Sequence, residues 1–138
     1  MANGLARLKI EDFIECITSV RREYGDMGKY IPMRQLIQIA IHRPARRFYI
    51  SPEEATRQIN NIQRGRGVKI RSTEKKQMYA DIYKKYLEAV FDSELMEYKY
   101  NLIERIVNSE APRFYINPNE ATRQIREYYR KIKKENKK

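Results

Sequence analysis

Arginine recurs in this chain where it could bind phosphate. Arg57 and Arg64 stand seven residues apart, Arg123 and Arg130 repeat that spacing, and the first arginine of each pair lies inside the same six letters, EATRQI. Residues seven apart share one side of an α-helix, so each pair would present two guanidinium forks able to grip phosphate oxygens in a bidentate way. With Ala55, Ile59 and Ile62 at the centre of a buried face, a step of about 100° per residue puts Arg57 and Arg64 on the opposite side. In the second copy that side continues through Arg126, Lys133, Lys134 and Lys137, while Ile125, Tyr128 and Ile132 point to the core.

The charge is concentrated in the same regions. The chain carries 29 Lys and Arg against 18 Asp and Glu, a formal net charge of +11. Residues 43 to 76 hold ten basic residues against three acidic ones, and residues 126 to 138 hold seven against two, so the rest of the chain is near neutral. A localised, arginine-rich surface is the electrostatic footprint of a nucleic-acid binder. The expected contacts are Arg46, Arg47, Arg57, Arg64, Arg66, Arg113, Arg123, Arg126, Arg130, Lys133 and Lys134. Nucleic acid, with DNA as the leading case, is the first candidate partner; an anionic membrane surface ranks below it, and an acidic protein surface would satisfy the same cations.

Other chemistry finds little support. Cys16 is the single cysteine, so one chain can form neither an internal disulfide nor a cysteine zinc site, and a reducing cytoplasm is the expected setting. His42 is the single histidine and is expected to close a helix C-terminus. No glycine-rich phosphate loop and no nucleophile with a nearby base stands out, so the expectation is a non-enzymatic protein with no cofactor and no metal. No apolar run approaches signal-peptide or membrane-span length, which points to a soluble, unexported chain.

The elements that must position these residues come in two copies. RFYISPEEATRQI, from Arg47 to Ile59, returns as RFYINPNEATRQI, from Arg113 to Ile125, with changes at two positions. The same shift of 66 aligns Leu36 with Leu102, Ile37 with Ile103 and Ile41 with Val107, so the repeat is longer than the thirteen letters. Ile10, Phe13, Ile14, Ile17, Val20 and Tyr24 form one helical stripe, and Tyr79, Ile82, Tyr83, Tyr86, Leu87 and Val90 form its counterpart at a shift of 69. A second helix starts at Pro32 and presents Leu36, Ile37 and Ala40; its partner presents Leu102, Ile103 and Ile106. The third helix of each copy begins at Ser51-Pro52 or Asn117-Pro118, with Glu54 or Glu120 placed for a capping box. Before it, Phe48-Tyr49-Ile50 and Phe114-Tyr115-Ile116 are β-prone triplets that could pair as a minimal two-stranded ribbon.

The expected fold is therefore all-α: two tandem pseudo-repeated three-helix units, helix-turn-helix-like, at 1–64 and 74–138, joined by a basic connector at 65–73. The third helices would carry the basic faces. The likeness to a helix-turn-helix is partial, since eight residues, RPARRFYI, stand where three or four are usual. Capping and core explain most of the repeated line but leave Thr56, Arg57 and Gln58 without a structural reason, which favours a binding role for them.

The pattern RFYIxPxEA, within Ala45 to Ile59 and Ala111 to Ile125, resembles short basic proteins of gut bacteria and their phages whose units end in such a helix start. The resemblance brings no activity with it. It implies a bacterial or phage setting, in which small basic helical proteins bind DNA or form parts of a particle. The expected function is thus non-enzymatic DNA binding in the cytoplasm. The alternative is a structural or adaptor protein, such as a virion component, whose basic faces contact an acidic protein or packaged DNA.

Overall fold

Apolar residues spaced at three and four wind most of the chain into helices. The computed structural model describes residues 2–67, 70–92 and 98–136. Its elements are α1 (Ala2–Glu23), a 3₁₀ helix (Gly25–Tyr30), α2 (Met33–Ala40), α3 (Pro52–Gln63), α4 (Thr73–Asp92), α5 (Lys99–Val107) and α6 (Pro118–Asn136). The protein is all-α, with no strand among the described residues. Lys69, Lys137 and Lys138, counted above among the basic residues, lie outside the described residues.

The helices do not group in the order of the sequence repeat. One compact unit comprises Met1–Ala45 and Pro112–Lys138, the other Arg46–Ala111. In the first, α6 packs on α1 and α2; in the second, α3 packs on α4 and α5. The third helix of each sequence copy thus completes the helix pair of the other copy, and the expected boundaries at 64 and 74 are not those of the compact units. The physical reason lies in the eleven irregular residues from 41 to 51. At roughly 3.3–3.6 Å per residue such a segment need not return its helix to the preceding one. Phe48 anchors the new arrangement: its ring is 1% exposed and its N–H donates to Val107 O at the end of α5, 2.9 Å away.

The core of the first unit holds Ile10, Phe13, Ile17 and Val20 of α1, Leu36, Ile37 and Ala40 of α2, and Phe114, Ile116, Ala121 and Ile125. The second buries Phe48, Ala55, Ile59, Tyr79, Ile82, Tyr86, Leu102, Ile103, Ile106 and Val107. Tyr24 and Val90, expected on the buried stripes, are exposed. Tyr24 falls beyond the end of α1 and so leaves its helical register.

The FYI triplets are irregular, not paired strands. Tyr115 adopts φ 55°, unusual for a side chain of its size, with its carbonyl accepting from Lys9 Nζ at 3.4 Å. Ser51 Oγ and Asn117 Oδ1 cap α3 and α6 by accepting from the N–H of Glu54 and Glu120, at 3.2 and 2.8 Å. α3 stops as its sequence demands. Gly65, at φ 75°, donates to Ile62 O while Arg66 donates to Asn61 O, the two bonds of a Schellman motif. Lys131 occupies the corresponding place in α6, which runs on to Asn136.

Candidate nucleic-acid interface

The repeated letters Thr-Arg-Gln have a local structural role that their spacing alone did not reveal. Thr56 and Thr122 donate their hydroxyls to Pro52 O and Pro118 O, at 2.7 and 2.9 Å. Glu54 receives Arg57 through two bonds, Nε at 2.9 Å and Nη2 at 2.5 Å, and also receives Gln58 Nε2 at 3.0 Å. Glu120 receives Arg123 Nη2 and, at 2.9 Å, Gln124 Nε2. Glu54 and Glu120 therefore serve as hubs for the residues three and four positions on, and their carboxylates are held below the ordinary range. Arg57 is the chief cause for Glu54 and Gln124 for Glu120. Exposed pairs of this kind are weak enough for a stronger anion to displace them.

In the first unit, arginines from two helices converge. A groove of about 870 Å³ between α2 and α6 is lined by Arg34, Arg123, Arg126 and Arg130, with Gln38 and Thr122 as polar neighbours and Glu127 as the acid. Arg123 is clamped by Glu120 and, through Nη1 at 3.0 Å, by Glu127. Arg34, Arg126 and Arg130 have no ion-pair partner among the described residues. Arg34 was missed by sequence reasoning because α2 was read for its apolar positions alone. Its place three residues before Ile37, which lines the same groove, was the available signal.

The remaining expected contacts are more scattered. Lys133 and Lys134 are exposed on the last turns of α6, and Arg113 is exposed with its guanidinium 5.9 Å from the Tyr115 ring centre. In the second unit Arg46 is exposed, whereas Arg47 is half-buried with Nε shielded and unpartnered. Arg57 lies in the second turn of α3, seven residues before Arg64 at its end. Arg64 is the C-cap of α3, outside the regular helix, and lies close enough to Lys99 to help burial depress that amine. Lys99 is itself held by Asn60 Oδ1 at 2.5 Å and by Gln63 Oε1. Arg57 and Arg66 instead share a groove with Lys75 of α4.

Other chemistry is sparse. Among the described residues no group of three or more His, Cys, Asp or Glu is placed to hold a metal ion, and no helix is long and apolar enough to cross a membrane. The Cys16 thiol is pushed up by burial. His42 is exposed in the turn after α2. No protein-family model, curated protein or solved structure matches this chain.

Proposed function

We propose that this protein binds DNA without catalysis, laying the phosphate backbone along the α2/α6 groove and the basic end of α6. The observation that carries this reading is the convergence of Arg34, Arg123, Arg126 and Arg130 on one open groove against a single lining carboxylate, Glu127. Guanidinium groups from two helices suit successive phosphates, and binding through phosphates needs no base contact. Titration of labelled duplex with the parent protein and with Arg126→Gln plus Arg130→Gln tests it: at fixed salt the variant should bind far more weakly, with a log-log salt slope shallower by about 0.9 per phosphate no longer neutralised. Absence of binding at low salt would sink the reading.

The two units are best read as copies of one design, a helix pair completed by an N-capped third helix. Sequence repetition supports this, as does the matching Glu-Arg-Gln network in α3 and α6. A bacterial or phage-infected cytoplasm is the setting that the resemblance favours.

One observation favours the alternative, an adaptor or virion component that grips an acidic protein. Met33 lines the arginine groove and is 42% exposed, and Tyr24, Met27 and Tyr30 just before it in the chain are also exposed. Tyr, Met and Arg together are the side chains enriched at protein interfaces.

A further inference from the structure

The groove between α3 and the start of α4, in the second unit, takes no part in the DNA binding proposed for the α2/α6 groove. It has a volume of about 490 Å³ and is lined by Arg57, Gln58, Asn61, Arg66, Lys75 and Tyr79, with Glu54 as its acid. We propose that it binds a terminal phosphate group on a nucleoside, either of a free nucleotide or of a 5′-phosphorylated nucleic-acid end. The volume falls within the range usual for small-molecule sites, roughly 300–1,000 Å³.

Charge and geometry support a dianionic ligand. Three cations face one carboxylate, and that carboxylate is already engaged by Arg57 and Gln58. Arg66 and Lys75 have no ion-pair partner among the described residues. Lys75 stands in the first turn of the twenty-residue α4, where the helix N-terminus adds its own positive potential, and its N–H is capped by Ser72 Oγ at 3.2 Å.

Gln58 supplies the argument for a nucleoside. The residue is 5% exposed. Its Nε2 donates to Glu54, which can only accept, so the identities of the two amide atoms are fixed and Oε1 is left buried with no donor. A buried acceptor without a partner is costly. A ribose hydroxyl or base amino group, carried away from the phosphate, completes it once the amide turns toward the groove; the only donor on inorganic phosphate is its own P–OH, on the group that the cations hold.

The first unit provides the contrast. The groove between α1 and α6 is built from Arg7, Arg123, Gln124 and Lys131, but its arginines are already answered. Arg7 pairs with Glu135 at 3.1 Å and Glu11 at 3.8 Å, and Arg123 pairs with Glu120 and Glu127. Asn61 stands at the position corresponding to Glu127, so the second unit lacks that carboxylate.

Calorimetric titration of the full chain with adenosine 5′-monophosphate, inorganic phosphate, and one single-stranded oligonucleotide in 5′-phosphorylated and 5′-hydroxyl forms tests the site. The nucleotide should bind at least about tenfold tighter than inorganic phosphate, or the phosphorylated end should bind tighter than the hydroxyl end by a similar factor. The first result assigns the site to free nucleotides and the second to nucleic-acid ends. Arg66→Gln with Lys75→Gln, and separately Asn61→Glu, should erase the preference, while Lys84→Gln, which removes an exposed charge of α4 that lines neither groove, should keep it. Neither preference in the parent protein, or a preference that survives in the first two variants, overturns the proposal. General DNA binding through the α2/α6 groove would be unaffected by that outcome.

Discussion

Phe114 meets Phe13 edge-on, with ring centroids 5.1 Å apart and planes at 78°. Phe13 belongs to the first helix and Phe114 to the second copy of the repeated line, about a hundred residues later. The pairing shows which helix pair the second RFYI segment serves. Both rings are almost fully buried, at 1% and 3% exposure. Phe114→Ala should therefore cost about 3–5 kcal/mol, from the burial forfeited and the cavity left against Phe13. Urea unfolding would read the change directly, and a midpoint that hardly moves would contradict this packing.

The regrouping of helices predicts how the chain can be cut. Residues 46 to 111 form one uninterrupted stretch containing α3, α4 and α5, whereas residues 1 to 64 hold α1 and α2 with a third helix that packs elsewhere. The 46–111 fragment should show cooperative thermal unfolding by circular dichroism, though with a small margin at its size. The 1–64 fragment should melt without a transition. The reverse outcome would restore contiguous tandem units.

Much of this was legible in the sequence, and the failures have physical causes. Ser51 and Asn117 were readable as caps because a cap depends on residues within one turn. The stripes through Phe13 and Ile82 were readable because burial enforces the helical period. Which α-helix pair receives Phe48 or Phe114 was not readable, since both pairs repeat the same apolar letters and local spacing cannot tell them apart. Thr-Arg-Gln was read incompletely for a different reason. The bonds from Arg57 and Gln58 to Glu54, three and four positions back, give both residues a role within the helix beside any binding role, and that role depends on rotamers which spacing alone does not specify.

Acid should loosen the third helices. Glu54 and Glu120 are held below the ordinary carboxylate range, so the stability they contribute is complete above their unfolded value of about 4.3 and disappears as pH falls through their lower folded values. Glu23, bonded by Arg43, and Glu53, bonded by the Tyr100 hydroxyl, act in the same direction. Melting temperature should fall below about pH 5. Glu54→Gln with Glu120→Gln should flatten that fall, because a glutamine keeps an acceptor but does not titrate. An unchanged slope would place the acid sensitivity elsewhere.

Gly28 is required by space. A Cβ there would stand 2.3 Å from Arg21 O and 2.8 Å from Arg21 Cγ, and the backbone oxygen of α1 cannot swing aside as a side chain could. Gly28→Ala should cost about 1–3 kcal/mol by forcing the 3₁₀ helix off α1. Gly4→Ala, with nothing within 4 Å of its Cβ, is the control and should leave the melting temperature unchanged or slightly raised, since alanine favours the first turns of α1.

A specific groove can be separated from a general polycation. Any chain with a net charge of +11 will bind duplex DNA more weakly as salt rises, so salt dependence alone decides little. Position decides more. Arg126→Gln with Arg130→Gln removes two charges from the α2/α6 groove, and Lys76→Gln with Lys84→Gln removes two exposed charges from α4. If the groove holds the backbone, the arginine pair should cost far more affinity at fixed salt and lower the log-log slope by about 0.9 for each phosphate no longer neutralised. The lysine pair should change little. Diffuse attraction predicts equal weakening, because both variants carry the same net charge. Equal weakening would remove the groove from the argument and leave Arg34, Arg126 and Arg130 better explained as partners of an acidic protein, which pull-down with the same arginine variant would then test.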